Sequence, residues 1–353
     1  MIIDHGVSLA SLTTLCVGGP AQRVLTVDNE ADVLAAIADA DAAGRPLLIL
    51  GNGSNLVVSD AGFPGDVVRI ATRGIEVVDA SDCAGVTVSV AAGEPWDELV
   101  QRAVAEGWVG IEALSGIPGL AGATPIQNVG AYGQEVAGTI AQVRTYDRQE
   151  QRIVTFAADD CGFGYRCSRF KHRDRWVVLS TSFQLRTGTL GAPVGYVELA
   201  RTLAIDVGAR APLADVRAAV LNLRRGKGMV LDPSDPDTRS AGSFFTNPIL
   251  DPTAAQGLPD DAPVWPQPDG TVKTSAAWLI ERAGFAKGWR SGSAGLSRKH
   301  TLAITTVPPA HAGDVVALAQ TITAGVRERF GIELMAEPTL VGFDDTILSG
   351  GGA

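Results

Sequence analysis

Apolar and polar residues change period several times along the chain, and the changes mark its elements. VLTV (24–27) reads as a strand, NEADVLAAIADADAAG as a helix with Asn29 as its cap, and PLLIL as a second, buried strand. Together they make a strand–helix–strand opening. NLVVSD, DVVRI, GIEVVDA and GVTVSVAAG follow as a strand-rich stretch broken by Gly and Asp. PWDELVQRAVAEGW (95–108) returns to a helical period, and Pro95 suits a first turn. From Glu112 to Tyr132 no period holds, and EALSGIPGLAGATPIQNVGAY is a long glycine-rich loop with short helical segments. Loops of that length are functional or disordered, and its Ile, Leu, Pro and Ala content argues against disorder.

Strands resume with AQVRTYD, QRIVTFA and WVVLSTSFQLR, ending near Arg186; TGTLGAPVG then shifts the composition and is read as a domain boundary. Helices are expected at 212–225, 274–283 and 311–329, with strands at LAITT and ELMAEPTLVGF. No internal repeat or low-complexity block appears, and the tail LSGGGA is expected to fray.

Length and charge narrow the function classes. A chain of 353 residues, 46% hydrophobic and 19% charged, suggests two or three folded domains. A net charge of -10 argues against nucleic acid or an anionic membrane as the main partner, although an anionic small molecule needs only a few local cations. Cys16, Cys83, Cys161 and Cys167 form no CxxC pair, and His5, His172, His300 and His311 are scattered, so neither disulfides nor a metal site is expected. The N-terminus lacks the basic segment and apolar run of a signal peptide, and no run of eighteen apolar residues occurs. A cytoplasmic protein is expected.

Two short stretches raise chemical questions. LILGNGSNLVVSD starts like a dinucleotide-binding turn, but Leu56 stands at the third glycine position and LVVSD continues as strand, so that signature fails. A Walker loop fails too, because no GK[ST] follows. What survives is a tight glycine loop, either a plain turn or a phosphate cradle. SAGSFFTNPI (240–249) sets the Ser243 hydroxyl between a glycine and two phenylalanines; taken alone, this is a turn anchored to a core.

The order of six blocks changes that balance. GNGSN (51–55), SGIPGLAGATPIQNVGAYG (115–133), FGYRCSRFK (163–171), GSFFTNP (242–248), DGTVKTSAAWLIERAG (269–284) and EPTLVGF (337–343) together resemble the UDP-N-acetylenolpyruvoylglucosamine reductase family, flavoenzymes of peptidoglycan precursor synthesis. The resemblance runs from about Leu12 to Phe343 and favours type I members. It implies an α+β fold: a two-lobed FAD-binding domain of the vanillyl-alcohol-oxidase type (1–75 and 76–188), a smaller α+β substrate-binding domain (189–346) and a flexible tail (347–353).

For the cofactor, the resemblance implies that Gly51, Asn52, Gly53, Ser54 and Asn55 hold the FAD diphosphate, glycine letting the anion approach the main chain. Gly116, Ile117, Pro118, Gly122, Ala123, Thr124, Asn128 and Gly130 would wrap the diphosphate and flavin. Neither loop contains His or Cys, so the FAD should be non-covalent. The implied reaction uses NADPH as co-substrate and reduces UDP-N-acetylglucosamine enolpyruvate to UDP-N-acetylmuramate. Hydride reaches the β-carbon, and the charge left on the α-carbon and carboxylate needs stabilising groups and an acid.

By the same resemblance, Ser243 is the proton donor, Arg166 in GYRCS the carboxylate-side arginine, and Glu337 the family's glutamate. Tyr196, Lys227, Asn247 and, more weakly, Lys273 would hold the nucleotide sugar. Read without it, these residues are a surface arginine, an exposed glutamate, a packing tyrosine, a solvated basic run and a turn asparagine. Cys167 and the long lead DPSDPDTRS depart from many members and leave the loop geometry open. A monomer is expected. Two competing readings remain: a flavin oxidase of the same cofactor fold, which gives no reason for Ser243, Arg166 and Glu337 together, and a non-catalytic flavin sensor, which needs no proton donor.

Overall fold

The computed structural model describes residues 1–81, 85–344 and 347. Cys83 and the tail from 348 onward lie outside the described residues, as do 345 and 346. The chain divides into two compact units. The first comprises Met1–Val7, Ala21–Asn52 and Pro64–Val230, and the second Ser8–Pro20, Gly53–Phe63 and Leu231–Ala353. These units are cut differently from the expected functional domains, because residues 189–230 group with the first unit and two early segments with the second.

Both units mix helix and strand, as the α+β class requires. In the first, the strands Ile2–His5, Ala21–Val27, Phe63–Ile70 and Leu47–Leu50 form one sheet in that order. Leu47–Leu50 therefore pairs in parallel with Phe63–Ile70 and not with Ala21–Val27, although a helix, Glu30–Ala42, links it to the latter. Asn29 caps that helix as expected, accepting from the Asp32 N–H at 2.9 Å. PLLIL was expected to be buried, but only Leu50 is, because the strand lies at the sheet edge.

The second sheet of this unit pairs Arg152–Ala157, Ile140–Asp147, Trp176–Thr187, Gly85–Ala91 and Ile75–Ser81, all antiparallel. Trp96 opens the helix Trp96–Ala105, with Pro95 just outside as its N-cap instead of inside the first turn. Trp96 is fully buried against Phe183, with ring centroids 5.8 Å apart, and its indole N–H donates to the Leu114 carbonyl at 3.0 Å. That bond fixes the start of the glycine-rich loop to the core.

The second unit packs the helices Ala276–Arg282 and Ala312–Phe330 around Phe244, Phe245, Leu279, Ile280, Val315 and Ile322. Two three-stranded sheets of very short strands flank them, with Val272–Thr274 and Ala294–Leu296 as their middle strands. Leu56–Val58 is strand, in keeping with the failed dinucleotide signature, and pairs in parallel with Thr339–Val341. The long final strand expected at ELMAEPTLVGF shrinks to those three residues, since Pro338 offers no N–H to a ladder. Among the described residues no helix is long and apolar enough to cross a membrane.

Candidate active site

In the first unit the glycine-rich loop is pinned along its length. The Gly116 N–H donates to Asp97 at 2.6 Å, and the Gly122 N–H to the Ala92 carbonyl at 2.9 Å. A β-carbon on Gly122 would stand 2.4 Å from that of Ala92, so only glycine lets the loop lie this close to the sheet. Thr124 is buried, with its hydroxyl on the Ala121 carbonyl at 2.8 Å.

Asn128, buried and held at φ 46°, is the loop's central knot. Its amide donates to Glu135 at 2.9 Å and to the Gly164 carbonyl at 3.0 Å, and its oxygen accepts from the Ala137 N–H at 3.1 Å. Arg166, also left-handed at φ 51°, sends Nη1 to the Asn128 carbonyl at 3.3 Å and Nη2 to the Gly130 carbonyl at 2.6 Å, and pairs with Glu135 at 3.5 Å. The expected arginine and the expected flavin loop are thus brought together, with the guanidinium fork bound to the loop backbone.

A second cluster in this unit holds Tyr196 and Lys227. The Lys227 ammonium pairs with Glu198 at 2.6 Å and lies 5.7 Å from the Tyr132 ring centroid. Tyr132 meets Tyr196 edge-on, with centroids 5.4 Å apart. Burial pushes the Tyr132 phenol up to about 12, against the pull of Arg224. Arg224 is itself 8% exposed, and burial lowers it to about 10. Its Nη2 reaches the Met229 carbonyl at 2.8 Å, while its Nε, buried near Gly116, has no partner among the described residues. Asp97 is shifted up by burial but held low overall by the fork of Arg217, at 2.7 and 2.8 Å, and by Gly116.

In the second unit Ser243 and Glu337 lie on neighbouring chain segments. Phe245 and Ala336 form an antiparallel bridge, and the Glu337 N–H donates to the Phe244 carbonyl at 2.9 Å. Buried Phe244 and Phe245, 5.2 Å apart, anchor the turn, with Gly242 at φ 74° before it. The Asn55 amide donates to the Glu337 carbonyl at 3.3 Å, so the second half of GNGSN is tied to the same segment. Gly53 is glycine for a packing reason: at φ 60°, a β-carbon there would stand 2.0 Å from the Leu12 carbonyl. Asn247 accepts from the Ala276 N–H at 3.0 Å and so also caps a helix. Lys273 pairs across its sheet with both Ile249 and Trp265.

Within the first unit the Arg224 Nε is a buried donor left over beside the glycine loop, a place suited to an anion. A cavity of about 370 Å³ elsewhere in the first unit, lined by Asp28, Asn29, Glu30, Thr72, Arg73, Glu76 and others, contains none of the expected residues, and its acidic rim does not suit a diphosphate.

Comparison with known proteins decides the family. Residues 21–149 match the FAD binding domain model, and residues 233–341 the C-terminal domain of UDP-N-acetylenolpyruvoylglucosamine reductase. The protein of that name from Thermobifida fusca is 52% identical over 348 residues, covering 96% of this chain and 98% of the relative. Its counterpart from Salinispora arenicola is 54% identical over 348 residues, at 96% and 95% coverage. The chain belongs to the UDP-N-acetylenolpyruvoylglucosamine reductase family. It is an FAD-dependent oxidoreductase. The solved reductase from Thermus caldophilus superposes with a TM-score of 0.66 at 27% identity, covering 97% of this chain and 99% of that one.

Several residues that the structure places beside the expected site residues were not singled out by the sequence. Tyr132 sits inside the quoted GAYG and Arg224 three residues before Lys227, yet neither spacing signals contact. Glu198 and Asp97 look like ordinary exposed helix acids, and only their partners set them apart.

Proposed function

We propose that the protein reduces UDP-N-acetylglucosamine enolpyruvate to UDP-N-acetylmuramate at the expense of NADPH, a cytoplasmic step that supplies peptidoglycan synthesis and hence cell-wall growth and division. On this reading residues 1–188 serve mainly the cofactor and 189–346 the substrate, in a monomer. Bound FAD supplies the hydride. Gly51, Asn52, Gly53, Ser54 and Asn55 hold its diphosphate; the loop residues Gly116, Ile117, Pro118, Gly122, Ala123, Thr124, Asn128 and Gly130, with Arg224, complete the cradle.

Once the β-carbon of the substrate is reduced, charge gathers on its α-carbon and carboxylate. Arg166 offers a planar fork to that carboxylate. Ser243 protonates the α-carbon, and neighbouring donors stabilise its developing alkoxide, an effect on the order of 3–4 kcal/mol for one such donor in a dry site. Glu337 acts protonated or through Arg166, because a bare carboxylate would repel the enolate. Lys227 and Asn247 hold the diphosphate of the substrate, Tyr196 covers it, and Lys273 adds a further cation.

The backbone pairing of the Ser243 and Glu337 segments is the observation that supports this reading best, since it puts an alcohol and a carboxyl on adjacent segments of one unit. Ser243→Ala tests it: the variant should bind FAD and be bleached by NADPH normally, while reoxidation by substrate slows by roughly 10² to 10⁴. Equal damage to both half-reactions would make Ser243 structural, and undiminished turnover would remove it from the mechanism.

A further inference from the structure

We propose that Glu198 is a positioning residue of the substrate site, an internal counter-ion that holds Lys227 until a diphosphate displaces it. The inference rests on the reading of Lys227 as the cation for the substrate diphosphate and adds a competitor to it. The Glu198 carboxylate lies 2.6 Å from the Lys227 ammonium, and the two side chains are 40% and 29% exposed. A pair this open to water is weak and can be exchanged for a stronger anion.

The position of Glu198 gives the exchange a second effect. Tyr196 immediately precedes the helix Val197–Leu203, and Glu198 is the second residue of that helix. The Tyr196 ring stands edge-on to Tyr132, and Lys227 lies near the Tyr132 ring. Glu198 therefore ties Lys227 to the segment that carries Tyr196, and an anion arriving at Lys227 loosens that segment at the same moment. Arg224, the other cation of the cluster, is buried and donates to the Met229 carbonyl at 2.8 Å. Lys227, half-buried, is thus the more open cation, for which a ligand and Glu198 compete.

A double-mutant cycle on the FAD-loaded protein tests this, with UDP as the probe and flavin content as the check on folding. Lys227→Met should weaken UDP binding by roughly tenfold or more, as expected for loss of a charged partner. Glu198→Gln should tighten it roughly two- to fivefold, the reach of an exposed pair, and the gain should shrink in high salt. Glu198→Asp, which restores the charge, should return the affinity toward that of the natural protein. In the Lys227→Met background, Glu198→Gln should change nothing. If Lys227→Met weakens UDP but Glu198→Gln does not tighten it, the counter-ion role is refuted and the reading of Lys227 stands. An effect of Glu198→Gln that persists without Lys227 refutes the pairing and leaves only a general field. If Lys227→Met leaves UDP binding unchanged, the reading of Lys227 falls and the inference with it.

Discussion

Asp66 ties together strands of the mixed four-stranded sheet of the first unit, and Asp66→Asn should show how strongly. Its side chain is 0% exposed. Arg23 on the neighbouring strand grips it through Nε at 2.7 Å and Nη2 at 2.6 Å, and Arg45 adds Nε at 2.9 Å. Removing one partner from a buried ion pair costs about 3–5 kcal/mol. Here Arg23 and Arg45 remain 24% and 27% exposed and both also reach Asp39, so they are not stranded. The expected loss is therefore about 2–3 kcal/mol. With a urea slope of about 3 kcal/mol per molar, the midpoint should fall by roughly 0.7–1 M. The pH dependence carries a sign. Arg23 chiefly, with Arg45, holds the Asp66 carboxyl below its ordinary 3.8 despite burial. Because the folded value lies below the unfolded one, the contribution is complete above pH 3.8 and fades as pH falls through the folded value. Urea melts followed by circular dichroism should show the gap between the two proteins closing in acid. A midpoint unchanged at neutral pH, or a gap that ignores pH, would falsify the assignment.

Gly53→Ala forces a β-carbon onto the Leu12 carbonyl and keeps a left-handed φ, so it should cost about 1–3 kcal/mol and release flavin on gel filtration; full flavin retention with an unshifted melt would contradict it. Arg166→Lys replaces a fork that also holds the Asn128 and Gly130 carbonyls. Turnover should fall more than substrate affinity, and a change confined to KM would argue against the role. In an alkaline absorbance titration, Tyr132 should stay protonated to about 12, with Tyr196 also raised by burial, and the step near 12 should vanish from the curve in Tyr132→Phe. Since burial raises the folded value above the unfolded 10, stability from this group is full below pH 10 and is lost between there and about 12; a titration complete near 10 would refute the burial argument.

Strong periodicity was readable without coordinates. The helices Glu30–Ala42, Leu213–Gly226 and Ala312–Phe330 fall close to where spacing and capping residues place them. The strands of the larger sheet do likewise, because alternation over six or more residues reports a buried face directly. Of the two- and three-residue strands of the second unit, Leu56–Val58, Ile304–Thr306 and Thr339–Val341 fall inside stretches read as strand, while those such as Ile249–Leu250 and Arg290–Ser291 were beyond reach, since segments that short have no period and form only where a partner strand supplies the hydrogen bonds.

The sequence by itself determined the glycine blocks, through residue type and local spacing, and the family resemblance, through the order of six separated motifs; the candidate acid, arginine and glutamate follow only from that resemblance. Tertiary structure alone decided that Phe244 pairs with Glu337, that Asn128 and Arg166 lock one loop, and that Glu198 takes Lys227 while Arg224 keeps a buried donor to itself. Those contacts join segments distant in the chain. No local preference encodes them, because burial and partner geometry settle which charge meets which only after the backbone has closed.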